Sequence, residues 1–175
     1  QTCLYAIIAV ALSAIIGMAV AHFVHNIPTK GQRKWRGMLL VPWVIPAALS
    51  MLAWRLLFEP SFGAFNWGLE HFGLGRVFWL GDAGWARFCV ILVTVWFSAP
   101  FCMVMYLASL KSVPEELYEA ARVDGATWWQ RIRYVTFPTM RNVIAITMIY
   151  ALIGTFAGFT TVAMLTSGGP LGATQ

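Results

Sequence analysis

Long uncharged stretches divide the chain into apolar segments. No Asp, Glu, Lys or Arg occurs within residues 1–29, 37–54, 88–110 or 142–175. Each stretch can supply the roughly 17–25 mostly apolar residues with which a helix crosses a hydrocarbon core about 30 Å thick. We therefore predict one transmembrane domain over residues 1–175, with helical spans over about 4–24, 37–58, 87–110 and 138–165.

Small residues and prolines mark special positions in these spans. In the first span, Ser13, Gly17 and Ala21 recur every four residues, which gives one helix face that a second helix can approach closely. In the second span, Pro42 and Pro46 each remove a backbone donor, so we expect a kink or a broken helix. Broken helices often line transport pathways, but prolines are also common in ordinary transmembrane helices.

The later spans carry similar marks. Pro100 predicts a kink in the third span, and Gly154 with Gly158 forms a G-x-x-x-G pair that indicates close packing in the fourth. The connection over 59–86 is punctuated by glycines and is predicted to be an outer loop.

Composition and charge agree with a membrane protein. Hydrophobic residues make up 59% of the chain and charged residues 11%, with a mean hydropathy of +0.70, whereas soluble domains carry about a quarter charged residues. We predict an all-α, polytopic integral membrane protein. Basic residues concentrate in the first and third loops, at Lys30, Arg33, Lys34, Arg36, Lys111, Arg122, Arg131, Arg133 and Arg141. The positive-inside rule places these loops in the cytoplasm, and because the charges adjoin apolar spans we expect no nucleic-acid partner.

No pattern indicates a metal or a cofactor. Cys3, Cys89 and Cys102 lie in or beside apolar spans without ligand spacing, and we interpret them as small buried hydrophobic residues. Glu70 and His71 are adjacent, but no third metal ligand stands near them.

The cytoplasmic loop over 111–137 is predicted to be two short helices joined by a turn. Ser112 with Glu115, and Thr127 with Gln130, have the spacing of capping boxes. Asp124-Gly125 is a natural helix stop, since glycine accepts a left-handed backbone, and the second helix is predicted to end before Pro138.

The first of these helices has a small apolar face formed by Leu117, Ala120 and Ala121. Two interpretations stand: the helix docks on a partner, or it lies amphipathically on the membrane surface. Surface-lying helices usually carry larger apolar residues, which favours docking.

This loop resembles the EAA loop of permeases in binding-protein-dependent ABC importers. Its pattern of Glu-Ala-Ala, Gly, an aliphatic residue and a final Leu-Pro is represented here by Glu119-Ala120-Ala121, Gly125, Val135 and Phe137-Pro138. Further segments resemble the sugar and glycerol-phosphate branch, to which the maltose-transporter permease family belongs. These segments are 114–126, Trp54 with Phe58-Glu59-Pro60, Phe62-Gly63 with Asn66, and Leu165-Thr166 with Gly168-Gly169-Pro170.

The resemblance implies a division of labour. It implies a helical bundle of the type I ABC importer permease kind. In such a bundle Glu119 would pair with a cytoplasmic ATPase subunit, and Ala120 and Ala121 would permit close insertion of the helix. Asp124-Gly125 would turn the chain, and Pro138 is the last residue of the motif. The implied partners are the ATPase, a second and different permease chain, an extracytoplasmic solute-binding protein and membrane lipid. The implied location is the bacterial inner membrane, crossed several times.

The same resemblance implies that the chain itself is not an enzyme. The sequence has no G-x-x-x-x-G-K-[ST] loop, so ATP is expected to be bound and hydrolysed on another chain. Because the chain begins abruptly at an apolar span and stops in a glycine-rich loop, we expect a fragment of a longer protein with about six spans.

The implied cargo is a small polar solute, such as a sugar, a polyol or a glycerol phosphate. Phe156, Phe159, Thr160 and Thr161 are candidate pathway residues, with plain helix packing as the open alternative for each. Relatives often carry an acidic residue after this Phe, whereas Thr160 is neutral. The principal alternative is an ion-coupled secondary transporter, which the lack of Asp and Glu in the four spans disfavours.

Overall fold

The chain folds into helices packed around two long parallel ones. A computed structural model describes residues 2–170, apart from the side chains of Thr2, Phe159 and Thr160, and contains no strand in that part of the chain. The helices are α1 (Thr2–Asn26), α2 (Thr29–Val44), α3 (Ala47–Leu57), α4 (Ala64–His71), α5 (Ala83–Ser112), α6 (Glu115–Val123), α7 (Trp128–Arg131), α8 (Phe137–Ala157) and α9 (Phe159–Leu165), with a π-helical turn (Ile132–Thr136) between α7 and α8.

Within the described part of the chain, three continuous helices are long and apolar enough to cross a membrane. They cover Cys3–Asn26, Ala83–Ser112 and Trp128–Ala157, and the pair α2–α3 adds a fourth span if its two helices, bent by 88°, count as one. The predicted break in the second span is therefore present. It falls at Pro46, the N-cap of α3, where the preceding Ile45 has an extended backbone (φ −69°, ψ 135°), as a residue before proline prefers. Pro42 and Pro100 lie inside unbroken helices.

The small-residue face of the first span packs as predicted. A Cβ atom added to Gly17 would lie 2.5 Å from Cys102 Cβ and 3.0 Å from the Met103 nitrogen, so α1 and α5 approach closely at this position. Ser13 and Ala21, one turn to either side, are buried.

Two buried clusters lie at opposite ends of this contact. One joins the ends of α1 and α5 to the start of α8 through residues such as Val24, Leu110 and Met140. The other joins α3, the start of α5 and α9 through Met51, Val93 and Leu165. The ends of α1 and α5 therefore lie at the same end of the bundle, which we call the basic end.

The fourth predicted span differs from the structure at both of its ends. The helix does not stop before Pro138: it runs from Trp128 to Ala157, and the π-helical turn shifts the hydrogen-bond register directly ahead of the proline, which has no N–H to donate. At the other end Gly158 (φ −77°, ψ 52°) separates α8 from α9. Gly154 faces open space, so the G-x-x-x-G pair makes no close helix contact within the described chain.

The outer connection contains a helix that the sequence did not indicate. Asn66 of α4 is buried, and its amide donates to the carbonyls of Pro60 (3.2 Å) and Val77 (3.0 Å) and accepts from the Val77 N–H (3.1 Å) and Trp79 Nε1 (3.0 Å). One side chain thereby joins α4 to the segments before and after it in the loop. Glu70 pairs with Arg76, and no group of three metal-ligating residues occurs among the described residues. Cys89 and Cys102 are buried thiols as interpreted, but Cys3 is exposed.

Candidate functional site

Helix α6 ends in a left-handed turn at Gly125, as the Asp124-Gly125 pair predicts. Gly125 has φ +74° and its N–H donates to the Arg122 carbonyl (3.0 Å), while the Ala126 N–H reaches back to the Ala121 carbonyl (2.9 Å). These two bonds form a Schellman motif, which satisfies the last carbonyls of a helix. Asp124 is the exposed C-cap residue.

The two predicted capping boxes have different outcomes. Thr127 and Gln130 form one: the Thr127 N–H donates to Gln130 Oε1 (2.7 Å), and the Gln130 N–H donates to Thr127 Oγ1 (3.4 Å). The box at Ser112 and Glu115 is wrong. Ser112 is the last residue of α5 and its hydroxyl donates to the Ser109 carbonyl (2.8 Å), so α6 starts from Pro114 without a side-chain cap.

One face of α6 is attached to the bundle. Tyr118 packs against the buried cluster at the basic end, and its hydroxyl lies 2.9 Å from Thr136 Oγ1 in the π-helical turn. Thr136 is buried, and Ala121, one turn along from Tyr118, is half-buried. The contact connects α6 directly to the segment from which α8 begins.

The opposite face of α6 has no partner in the described chain. Glu116, Glu119, Ala120 and Val123 are all exposed and follow the spacing i, i+3, i+4, i+7, which places them on one stripe. We call this stripe the open face of α6. The predicted apolar face is thus divided: Ala120 lies on the open face, whereas Ala121 turns toward the bundle.

Exposed aromatic residues continue this surface beyond the turn. Trp128, Trp129 and Tyr134 are 56%, 69% and 74% exposed, and Phe137 is exposed beside them. Contiguous exposed apolar surface of this kind marks contact with lipid or with another protein. The sequence prediction did not include these residues, although the aromatic run after Thr127 was a visible signal. Pro138 is exposed in the first turn of α8, next to this surface.

The basic residues gather at the same end of the bundle. Lys111 Nζ at the end of α5 donates to Gln32 Oε1 in α2 (2.9 Å), which ties the first and third loops together. Nine of the twelve Lys and Arg residues belong to these loops or adjoin them. This end therefore carries most of the positive charge and also carries α6.

The candidate pathway residues do not form one cluster. Thr161 lines a cavity of about 240 Å³ between α3, α5 and α8, whereas Phe156 is about half exposed and does not line it. The side chains of Phe159 and Thr160 lie outside the described residues. Around the cavity the structure adds polar and aromatic residues that were not predicted, namely Thr94, Ser98, Thr155, Trp43, Phe97, Phe101 and Tyr150. Thr94 and Ser98, four residues apart in an otherwise apolar span, were the available signal.

Comparison with known proteins identifies the family. A family model described as binding-protein-dependent transport system inner membrane component matches residues 9–175. The trehalose/maltose transport system permease protein MalF of Thermococcus litoralis is 35% identical over 170 residues, which cover 97% of this chain and 57% of the relative. The maltodextrin permease MdxF of Bacillus subtilis is 34% identical over 176 residues, which cover 97% of this chain and 40% of the relative.

A solved structure has the same fold. A chain of the bacterial alginate ABC transporter, crystallised with an alginate pentasaccharide-bound periplasmic protein, superimposes with a TM-score of 0.86 and 27% identity over 99% of this chain and 60% of that one. The chain thus spans about half the length of the proteins it matches. It belongs to the family of binding-protein-dependent transport system inner membrane components, which are multi-pass proteins of the inner membrane.

Proposed function

We propose that this chain is the core of a permease subunit in an ATP-driven sugar importer, and that the open face of α6 is where an ATPase subunit docks. The observation that carries this proposal is the division of α6 into an attached face and an unpartnered one at the basic end. Family membership supports the importer class and leaves the ion-coupled alternative without support.

Two residues of the open face and the turn that follows α6 have distinct roles in docking. Glu119 supplies a negative charge for a cationic group of the ATPase. The small side chain of Ala120 lets the ATPase approach the backbone of α6 closely. Ala121 is half-buried on the attached face; it stays a coupling candidate, and its small side chain lets α6 pack closely against the bundle. Asp124 and Gly125 end the helix, so that the chain turns back toward α7. ATP is bound and hydrolysed on the partner chain.

Movement of α6 has a physical route into the membrane. The Tyr118–Thr136 hydrogen bond links α6 to the π-helical turn, and that turn continues through Pro138 into α8. Isolated π-turns inside helices frequently occur at functional sites. A displacement of α6 by the ATPase is thus passed to α8 through one short contact.

The exposure of α8 supports a second permease chain as partner. In the apolar 18-residue stretch of the Trp128–Ala157 helix, only 11% is buried within this chain. A different permease chain and lipid share the remaining surface, and an extracytoplasmic solute-binding protein delivers the cargo at the end opposite the basic end.

The cavity beside Thr161 is the proposed pathway wall. Thr94, Ser98 and Thr155 line it together with Trp43 and Phe101, and aromatic faces with a few polar groups suit a small polar ligand. The printed names of the relatives refer to maltose, trehalose, maltodextrin and alginate, which favours a saccharide as cargo. Phe156, Phe159 and Thr160 stay pathway candidates.

The proposal is tested with the full-length permease reconstituted with its permease partner, its ATPase and its binding protein. Glu119→Lys converts a charge-assisted contact, typically worth about 1.5–3 kcal/mol, into a repulsive one. We expect substrate-stimulated ATP hydrolysis and sugar uptake to fall at least ten-fold while membrane insertion is retained, with Glu119→Gln giving a smaller loss.

Glu70→Lys is the control for the charge change itself: it lies on the outer loop at the end opposite α6, where it also breaks the exposed ion pair with Arg76. It should leave ATPase stimulation within two-fold of wild type. Uptake that continues on an ion gradient without any ATPase would overturn the proposed function.

A further inference from the structure

An apolar groove runs along one side of the bundle between α1, α2 and α5. Its volume is about 370 Å³, within the range of about 300–1,000 Å³ that is typical of ligand sites. Among the described residues that line it, none is charged and none carries a hydroxyl group. Each of the three helices contributes to the lining, for example through Ile16, Val20, Met38, Pro42, Trp96 and Pro100. We call it the apolar groove. Because Ile16 and Met38 are 42% and 57% exposed, it opens on the outside of the bundle.

Two aromatic rings continue the apolar groove toward the basic end. Phe23 follows Val20 by three residues on α1, and Trp35 precedes Met38 by three residues on α2, so each lies on the same helix face as its neighbour in the groove. The two rings meet edge to face with their centroids 5.5 Å apart, and both residues are exposed. Tryptophan is enriched where a membrane meets water. The mouth of the groove therefore lies at the membrane surface of the basic end.

Two lysines share a face of α2 with this mouth. Lys30 and Lys34 precede Met38 by eight and four residues, so the three residues form one stripe, and both lysines are exposed. The helices α1, α2 and α5 contain no Asp or Glu. The positive charge at the mouth is therefore not balanced by any of the helices that form the groove.

The acidic residues of the chain lie elsewhere. Three of the seven, Glu59, Glu70 and Asp82, belong to the outer connection, and the other four belong to α6 and its C-cap. An occupant of the apolar groove thus meets an apolar wall along its length and a positive charge at one end.

We propose that the apolar groove binds one anionic phospholipid of the inner leaflet. An acyl chain lies in the groove, and the headgroup contacts Lys30 and Lys34 beside Trp35. The cytoplasmic leaflet carries anionic lipids, which attract basic residues next to a membrane span, and lysine can lay its apolar stem along a lipid while its ammonium group stays in water. The lysines favour an anionic lipid over an apolar helix of another chain as the occupant, since such a helix would leave their charges unbalanced.

The groove lies against the wall of the proposed pathway cavity. Pro42 and Pro100 line the groove, whereas the residues that follow them, Trp43 and Phe101, line the cavity, and their two rings lie 5.9 Å apart. A lipid in the groove therefore holds α2, the inner half of the broken span, against α1 and α5 at the level of the cavity.

The test uses the full importer complex in detergent, stripped of lipid and then given phosphatidylglycerol with a photo-activatable group in its acyl chain. Phosphatidylcholine with the same group is the neutral probe, and labelled peptides are mapped by mass spectrometry. We expect phosphatidylglycerol to label the groove at least five-fold more than phosphatidylcholine. Lys30→Gln combined with Lys34→Gln should reduce this preference to within two-fold. Arg133→Gln combined with Arg141→Gln is the matched control, since it removes two exposed charges of the basic end that do not line the groove, and it should keep the preference.

A second arm tests the groove itself. Ile16→Trp fills the groove and should reduce labelling by phosphatidylglycerol at least five-fold, whereas Ile7→Trp, an exposed position of the same helix outside the groove, should not. If Ile16→Trp fails to assemble, Met38→Trp fills the groove from a more exposed position. Equal labelling of the wild-type groove by the two lipids, labelling that persists in the filled variants, or a wild-type groove that neither lipid labels would overturn the proposal. Each of these results leaves the ATPase contact untouched, because α6 does not line the groove.

Discussion

The Tyr118–Thr136 hydrogen bond gives the sharpest prediction about how α6 is held. Tyr118→Phe and Thr136→Val each remove one hydroxyl and keep the side-chain shape. The two oxygens lie 2.9 Å apart, and Thr136 is only 2% exposed. In Tyr118→Phe, Thr136 Oγ1 keeps only a marginal contact of 3.5 Å to the Arg131 carbonyl. In Thr136→Val, the half-buried Tyr118 hydroxyl can turn to water.

The magnitude follows from these contacts. A hydrogen bond contributes a net free energy of about 0.5–1.5 kcal/mol. In double-mutant cycles on a membrane protein, the coupling energy between hydrogen-bonded side chains averages about 0.6 kcal/mol, with a maximum of about 1.7 kcal/mol. We expect Tyr118→Phe to lower the free energy of unfolding by about 1–2 kcal/mol, Thr136→Val to cost less, and the coupling energy between them to be about 1 kcal/mol.

The assay is a double-mutant cycle on the full-length permease, unfolded by denaturant in mixed micelles, with amide hydrogen exchange of α6 as a second readout. Both single variants should raise exchange across 115–123 and leave α4 unchanged. Additive single effects, with a coupling energy indistinguishable from zero, would refute the account of how α6 is attached.

Two further predictions concern glycines. Gly17→Val should lower the free energy of unfolding by about 1–3 kcal/mol in the same assay, because its Cβ would overlap Cys102. Gly154→Ala lies in open space and should change that free energy by under about 0.5 kcal/mol. Equal effects of the two variants would contradict the α1–α5 contact. Gly125→Val should reduce co-purification with the ATPase, because a β-branched residue at φ +74° is strained. Gly73→Val meets the same strain at φ +72° in the outer loop and should leave co-purification intact; loss in both variants would contradict a specific role for the turn.

Features set by local chemistry could be predicted from the sequence. The apolar stretches, the close-packing face around Gly17, the break near Pro46 and the turn at Gly125 each depend on one residue type and its neighbours. The failed cap at Ser112 shows the limit of such signals, because α5 continues through this residue and uses its hydroxyl at its own end.

Features set by distant contacts could not be predicted. Asn66 holds residues 11 and 13 positions away, and Tyr118 reaches Thr136 across 18 positions, so neither contact has a local pattern. Pro138 is usually interpreted as a helix boundary. Here the π-helical turn before it leads directly into α8, so the helix is continuous. In the candidate site, the sequence indicated the helix but not which of its faces is open.

Cross-linking from the open face of α6 tests the central claim most directly. Cys3 is exposed and is replaced by Ser, while Cys89 and Cys102 are buried and can stay. A single cysteine is then introduced as Ala120→Cys or, as the control at the opposite end, Glu70→Cys, and it is labelled in the full complex with a short photo-activatable thiol reagent, whose second end reacts with any nearby chain. The account predicts a cross-link to the ATPase subunit from position 120 and none from position 70. No cross-link from position 120, in a complex that still hydrolyses ATP in response to substrate, would contradict it.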